Sequence, residues 1–69
     1  MIPDRRGQVW ECYDGEIIVV LRTTKTDLLE HGEHEVVSVF GGNKTGCSKV
    51  WHERVEQSWE EYSVFKGKL

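Results

Sequence analysis

An Asp14-Gly15 pair sits between two runs of strand-forming residues, Gln8-Val9-Trp10-Glu11-Cys12-Tyr13 and Glu16-Ile17-Ile18-Val19-Val20-Leu21-Arg22. Asp-Gly flanked by β-branched and aromatic residues is a strong short-range hairpin signal, because tight hairpin turns need positive φ, which glycine adopts without strain. This one feature commits the first third of a 69-residue chain to antiparallel β structure. A chain this short forms one domain, here residues 1–69, and exposes much of its surface even when folded.

A two-residue turn would pair Tyr13 with Glu16, Cys12 with Ile17, Glu11 with Ile18, Trp10 with Val19 and Val9 with Val20. Cross-strand partners share a face, and faces alternate along a strand. This register predicts a core face of Trp10, Cys12, Ile17, Val19 and Leu21. It places Val9, Glu11, Tyr13, Glu16, Ile18, Val20 and Arg22 on the opposite face. Three aliphatics on that second face need cover. Either the chain's own loops supply it, or the face receives a partner or a second copy of the chain.

Beyond the hairpin, strands are expected at 7–13, 16–23, 34–40, 46–51 and 59–65. Residues 1–6 read as a polar lead-in, 24–33 as a polar connection and 41–46 as a glycine-rich turn. Trp51, Val55, Trp59 and Tyr62 also fall at helical spacing. A short helical turn at 53–57 between two strands satisfies both signals. The fold expected is therefore all-β, a small five-stranded SH3-like barrel with a short helical turn before the last strand. The alternative is an α+β fold in which a helix over 51–62 covers a three-stranded sheet.

Composition limits function. Net charge is −3 and basic residues are scattered, so the counterion-displacing surface of a general nucleic-acid binder is not expected. The longest apolar run, Ile17 to Leu21, is far shorter than the about 20 residues of a membrane-spanning helix. With no apolar stretch behind Met1-Ile2-Pro3-Asp4-Arg5-Arg6, a cytoplasmic protein is expected, with Cys12 and Cys47 as free thiols; a Cys12–Cys47 disulfide is the alternative.

Candidate chemistry is sparse. Cys12, His31, His34, Cys47 and His52 are zinc-ligand types, but only His31 and His34 have close spacing, so no metal and no cofactor is expected. Cys47 follows Gly46 near His52, Lys44 and Lys49, yet so small a domain has little room for both a core and a substrate pocket. Glu53, Glu56, Glu60 and Glu61 read as a solvated acidic face. Gly41-Gly42-Asn43-Lys44-Thr45-Gly46 lacks the glycine spacing of a phosphate-binding loop. Aromatics remain. Most of Trp10, Trp51, Trp59, Tyr13 and Tyr62 must fill the core, but an exposed aromatic is where binding energy concentrates. The candidate binding residues are Val9, Tyr13, Ile18, Val20, Arg22, Trp59 and Tyr62, with a protein as partner and no catalytic residue.

Gly7-Gln8-Val9-Trp10, the aliphatic run Glu16-Ile17-Ile18-Val19-Val20-Leu21 and Trp59-Glu60-Glu61-Tyr62 give the chain an outline that resembles short SH3-like barrel proteins of bacteriophages and their hosts. That resemblance implies a non-catalytic protein-binding module, a phage-encoded effector or inhibitor of a host protein acting in the host cytoplasm. The opening is also similar to the MazF/PemK family of toxin ribonucleases, at Pro3, Arg6, Gly7, Val9 and Trp10. The match ends there, since Tyr13-Asp14-Gly15-Glu16 stands where that family leads its next strand with an Arg-Pro pair. It implies a reduced ribonuclease as one alternative. A nucleic-acid-associated or structural accessory protein is the other.

Overall fold

A computed structural model describes residues 2–25, 31–41, 46–54 and 59–69, with the side chain of Lys25 left aside. Five strands, β1 (Gln8–Cys12), β2 (Ile17–Lys25), β3 (His31–Phe40), β4 (Ser48–Arg54) and β5 (Ser63–Lys68), form one antiparallel sheet in the order β4-β3-β2-β1-β5. A single 3-10 turn, Trp59–Glu61, precedes β5. The fold is the small, all-β, five-stranded one expected, with a short helical turn before the last strand, and the helix-covered alternative is overturned because Trp51 to Arg54 lie in a strand. The expected turn at 53–57 falls partly on 55–58, outside the described residues, and its first part is strand. The expected 24–33 connection also shrinks: β2 continues through Lys25 and β3 begins at His31. The last two strands sit later than their expected ranges.

The first hairpin differs from expectation by one residue, with consequences for every side chain on it. Trp10 pairs with Ile18 and Glu11 with Ile17. The Gly15 amide donates to the Cys12 carbonyl, the Cys12 amide donates to the Glu16 carbonyl, and Gly15 has φ 92°. The loop is thus Tyr13-Asp14-Gly15, a three-residue connection closing on a left-handed glycine. Asp14 Oδ1 accepts from the Glu16 amide at 3.0 Å and braces it. A one-residue slip exchanges the two faces of the strand. Ile18 and Val20, at 0% and 1% exposure, are therefore core, while Ile17 and Val19 are half-buried on the outer face and Leu21 is exposed. Cys12, too, is only half-buried.

A second irregularity shapes the interior. The β2–β3 register shifts between Val20 and Arg22, so Leu21 is an extra residue in β2. Such a bulge reverses the alternation downstream. Arg22 is thereby turned outward, where it pairs with Glu35 at 3.0 Å, and Thr23 takes the inward place opposite His34.

The apolar core is Trp10, Ile18, Val20, Val36 and Trp59, with Trp51 packed against it. Trp59 meets Trp10 and Trp51 edge-on at centroid distances of 5.7 and 5.8 Å. Edge-to-face pairs of this kind add about 0.5–1.5 kcal/mol each beyond the area they bury. The lead-in is not a solvated arm. Ile2 is buried against Gly32, where a β-carbon would lie 2.6 Å from the Ile2 side chain, so only glycine leaves room for it. Arg5 is buried as well.

Candidate binding groove and the buried charge cluster beneath it

Inward-facing positions on β2, β3 and β4 bring Thr23, His34 and Glu53 together, and the lead-in adds Arg5. The Arg5 guanidinium grips the Glu53 carboxylate with two bonds of 2.7 Å. It also lies against the rings of Trp10 and Trp59, 5.1 and 5.2 Å from their centroids. A planar cation between two indoles gains electrostatically while its fork is spent on the carboxylate. Gln8 Oε1 accepts from Arg5 Nη1 at 3.2 Å and from Trp10 Nε1 at 2.9 Å.

His34 completes the cluster at 0% exposure. Its Nε2 lies 2.7 Å from Glu53 Oε1 and its Nδ1 2.9 Å from Thr23 Oγ1. Thr23 Oγ1 also accepts from the Arg5 amide. A neutral ring with its proton on Nε2 satisfies every atom: Nε2–H donates to Glu53, and the threonine hydroxyl donates to Nδ1. Burial pushes the His34 pKa down, against the opposing pull of Glu53. Burial pushes the Glu53 carboxyl upward, but the hydrogen bonds from Arg5 and His34 together hold it below the usual carboxylate range. The bond to Glu53 raises the Arg5 pKa. The cluster thus holds one positive and one negative charge in direct contact, with a neutral imidazole bonded to the carboxylate beside them.

The other end of the interior is polar too. Glu16 is buried and bonded to Lys49 at 2.8 Å, and the Ser38 hydroxyl has no hydrogen-bond partner among the described residues. Cys12, Asp14 and Glu16 bring potential ligand atoms within 4.8 Å of one another. Lys49 already holds the Glu16 carboxylate, and burial, then the neighbouring Glu16 and Asp14, push the Cys12 thiol up to about 11, which works against metal-binding thiolate.

Over the charge cluster, the sheet order ends at β4 on one side and β5 on the other. Trp51, His52, Arg54, Trp59, Tyr62 and Ser63 line a cleft of about 410 Å³ between these two edges. Trp59 forms its floor. Trp51 is half-buried and Tyr62 is 52% exposed. Ser63 Oγ donates to the Trp59 carbonyl at 2.7 Å and fixes the turn that carries the aromatic floor.

Of the seven candidate binding residues, Trp59 and Tyr62 meet at this cleft. Ile18 and Val20 are core and present no surface. Val9 is on the outer face beside Val19 and Val37, while Tyr13, 72% exposed, sits at the hairpin tip and Arg22 is tied to Glu35. Cover for Ile18 and Val20 therefore comes from within, and the outer aliphatic row is Val9, Val19 and Val37. Sequence reading missed the cluster of Arg5, His34 and Glu53, which lie in three separate segments; Glu53, read there as part of a solvated acidic face, is buried. In comparisons with known proteins, no family model, curated protein or solved structure matches the chain.

Proposed function

We propose that the protein is a non-catalytic protein-binding module that accepts an extended segment of a partner along β4. The observation that carries this reading is the aromatic cleft beside the outer edge of β4. A terminal strand in a sheet has backbone donors and acceptors directed away from its neighbour, and an added strand satisfies them. Pockets beside the edge then read alternate side chains of the incoming segment. Trp51 and Tyr62 supply large, stiff apolar walls, the residue types that dominate interface energetics, and Arg54 stands at the rim. The buried Arg5–Glu53 pair fixes β4 from below, so the cleft is held ready before a partner arrives. Likeness of the Gly7-Gln8-Val9-Trp10 and Trp59-Glu60-Glu61-Tyr62 stretches to phage-type barrels extends the proposal to an effector or inhibitor of a host protein in the host cytoplasm.

Selection of unstructured peptides from a random display library, followed by titration of synthetic copies against the purified protein, tests it. Binders should quench or shift tryptophan fluorescence and lose at least about tenfold in affinity, some 1.4 kcal/mol, in Tyr62→Ala and Arg54→Ala. Peptides indifferent to both variants would remove the cleft as the site. Salt-dependent binding of single-stranded RNA or DNA, with no peptide binding, would overturn the protein-partner reading in favour of nucleic acid.

A further inference from the structure

The chain has four arginines, Arg5, Arg6, Arg22 and Arg54, and all are among the described residues. Three are bonded to the protein's own carboxylates: Arg5 to Glu53, Arg6 to Asp4 and Arg22 to Glu35. Arg54 makes no ion pair among the described residues, although Glu33 lies on the neighbouring strand, two places from its cross-strand position. Its side chain lines the aromatic cleft instead. The backbone of β4 is directed the same way. Trp59 Nε1 donates to the His52 carbonyl at 3.5 Å, so that carbonyl points away from β3 and toward the cleft. Bonding direction alternates along an antiparallel strand, so Val50 and Arg54 present their backbone groups at the same outer edge. A 3.5 Å bond is long and a carbonyl has a second lone pair, so the His52 oxygen can take an incoming amide as well.

We infer that the segment accepted along β4 carries one side-chain carboxylate, aspartate or glutamate, three residues before an apolar anchor, with the carboxylate on Arg54 and the anchor against Trp51. This inference rests on the peptide-binding reading and names the ligand of that same cleft. The spacing follows from the strand. Trp51 and Arg54 are three positions apart, about 10 Å at the rise of an antiparallel strand. Cross-strand partners share a face, so an added residue opposite Trp51 lies beside the indole and one opposite Arg54 beside the guanidinium. Every pair of neighbours in the sheet is antiparallel. A segment that continues the pattern meets Arg54 first and Trp51 three residues later. The guanidinium fork fits a carboxylate with two parallel charge-assisted bonds. The negative charge is single and local. Glu60 and Glu61, in the turn that carries the Trp59 floor, repel a run of acidic residues or a nucleic-acid backbone laid across the cleft.

The test is selection of short peptides from a random display library on the parent protein and, in parallel, on Arg54→Gln. Synthetic copies are then titrated beside forms in which the acidic residue is replaced by its amide. The parent should enrich aspartate or glutamate three residues before an aromatic or aliphatic residue, and Arg54→Gln should keep the anchor and lose the acid. Replacing the acid should weaken binding to the parent about fivefold or more and leave binding to Arg54→Gln within about twofold, the coupling of a direct charge pair. Arg54 is exposed, so the variant should keep the parent's circular dichroism. If it fails to fold, the fivefold loss on the parent alone, shrinking in high salt, reads the same pair. Anchored peptides with no acidic preference, still weakened by Tyr62→Ala, would overturn this inference and leave the peptide-binding reading standing. Enrichment of basic residues in place of the acid would also overturn it. Enrichment of no peptide at all would overturn both.

Discussion

Replacing Glu53 by alanine should come close to unfolding this protein, and the cost can be worked from its contacts. The carboxylate is 4% exposed, accepts both bonds of the Arg5 fork and accepts a hydrogen bond from His34 Nε2–H. Removing one member of a buried ion pair typically costs about 3–5 kcal/mol, because the remaining charge is stranded in the interior. Arg5 keeps some compensation: two indole faces and Glu60, whose carboxylate is 3.7 Å away. The lower half of that range is therefore expected. A domain of this length has a total stability of roughly 3–10 kcal/mol, so the loss is most of it at the low end. In thermal unfolding followed by circular dichroism, each kcal/mol moves the midpoint by about 4–8 °C for a domain of this size, which predicts a drop of at least about 12 °C. Glu53→Gln should fall between parent and Glu53→Ala. Its amide oxygen still accepts from Arg5, but a charge-assisted bond is replaced by a neutral one. A combined Arg5→Met, Glu53→Leu protein should recover part of the loss, since no charge is stranded, and only part, since His34 Nε2–H loses its acceptor. If Glu53→Ala melts within about 2 °C of the parent, the cluster is not the buried, mutually satisfied network described, and the reasoning fails.

The three-residue hairpin loop predicts opposite outcomes at neighbouring positions: Ile18→Ala should cost about 2–5 kcal/mol in urea unfolding and Ile17→Ala clearly less, and the reverse order would restore the two-residue turn. Stability should fall on acidification in two stages. His34 has a folded pKa below its ordinary value of 6.5, so its contribution is complete above that pH and declines as pH drops from there toward the folded pKa. Glu53, also lowered, adds its loss below its ordinary value of 4.5. Urea midpoints from pH 8 to pH 3 measure both, and Thr23→Val should change the upper stage, because the hydroxyl bonded to His34 Nδ1 is gone.

Much of the architecture was legible because it is written locally. Strand-forming runs, the Asp-Gly turn and the aromatic segment before the last strand each specify their own conformation. The face of β2 was not legible for a physical reason. Ile17-Ile18-Val19-Val20-Leu21 is apolar at five consecutive positions, so alternation gives no register, and Asp14-Gly15 serves a two-residue or a three-residue loop equally well. The bulge at Leu21 compounds this by moving Thr23 inward and Arg22 outward. Trp59 and Tyr62 were found as candidates because aromatic side chains are where binding energy concentrates, although Trp59 itself is largely core. Arg5, His34 and Glu53 were not, because a buried ion pair spanning 48 residues leaves no periodicity behind. Ile2 was hidden by its polar neighbours. Its place is set by the gap at Gly32, a feature of another strand altogether.

The pairing of β1 with β5 carries one more consequence, for how the protein bears load. Gln8 is opposite Lys68 and Cys12 is opposite Ser63, so the chain enters and leaves at the same end of one antiparallel ladder, where the Leu69 amide is bonded to the Gly7 carbonyl. Tension applied through the two ends does not shear that ladder as a block. It opens the bonds in succession, beginning at Gly7, each one loaded alone. Such a zipper yields at low force once Arg5 and Ile2 have been peeled from the interior. Held between two tethers, this domain would behave as a weak link that opens before stiffer neighbours do, although at rest Leu69 is clasped to Gly7.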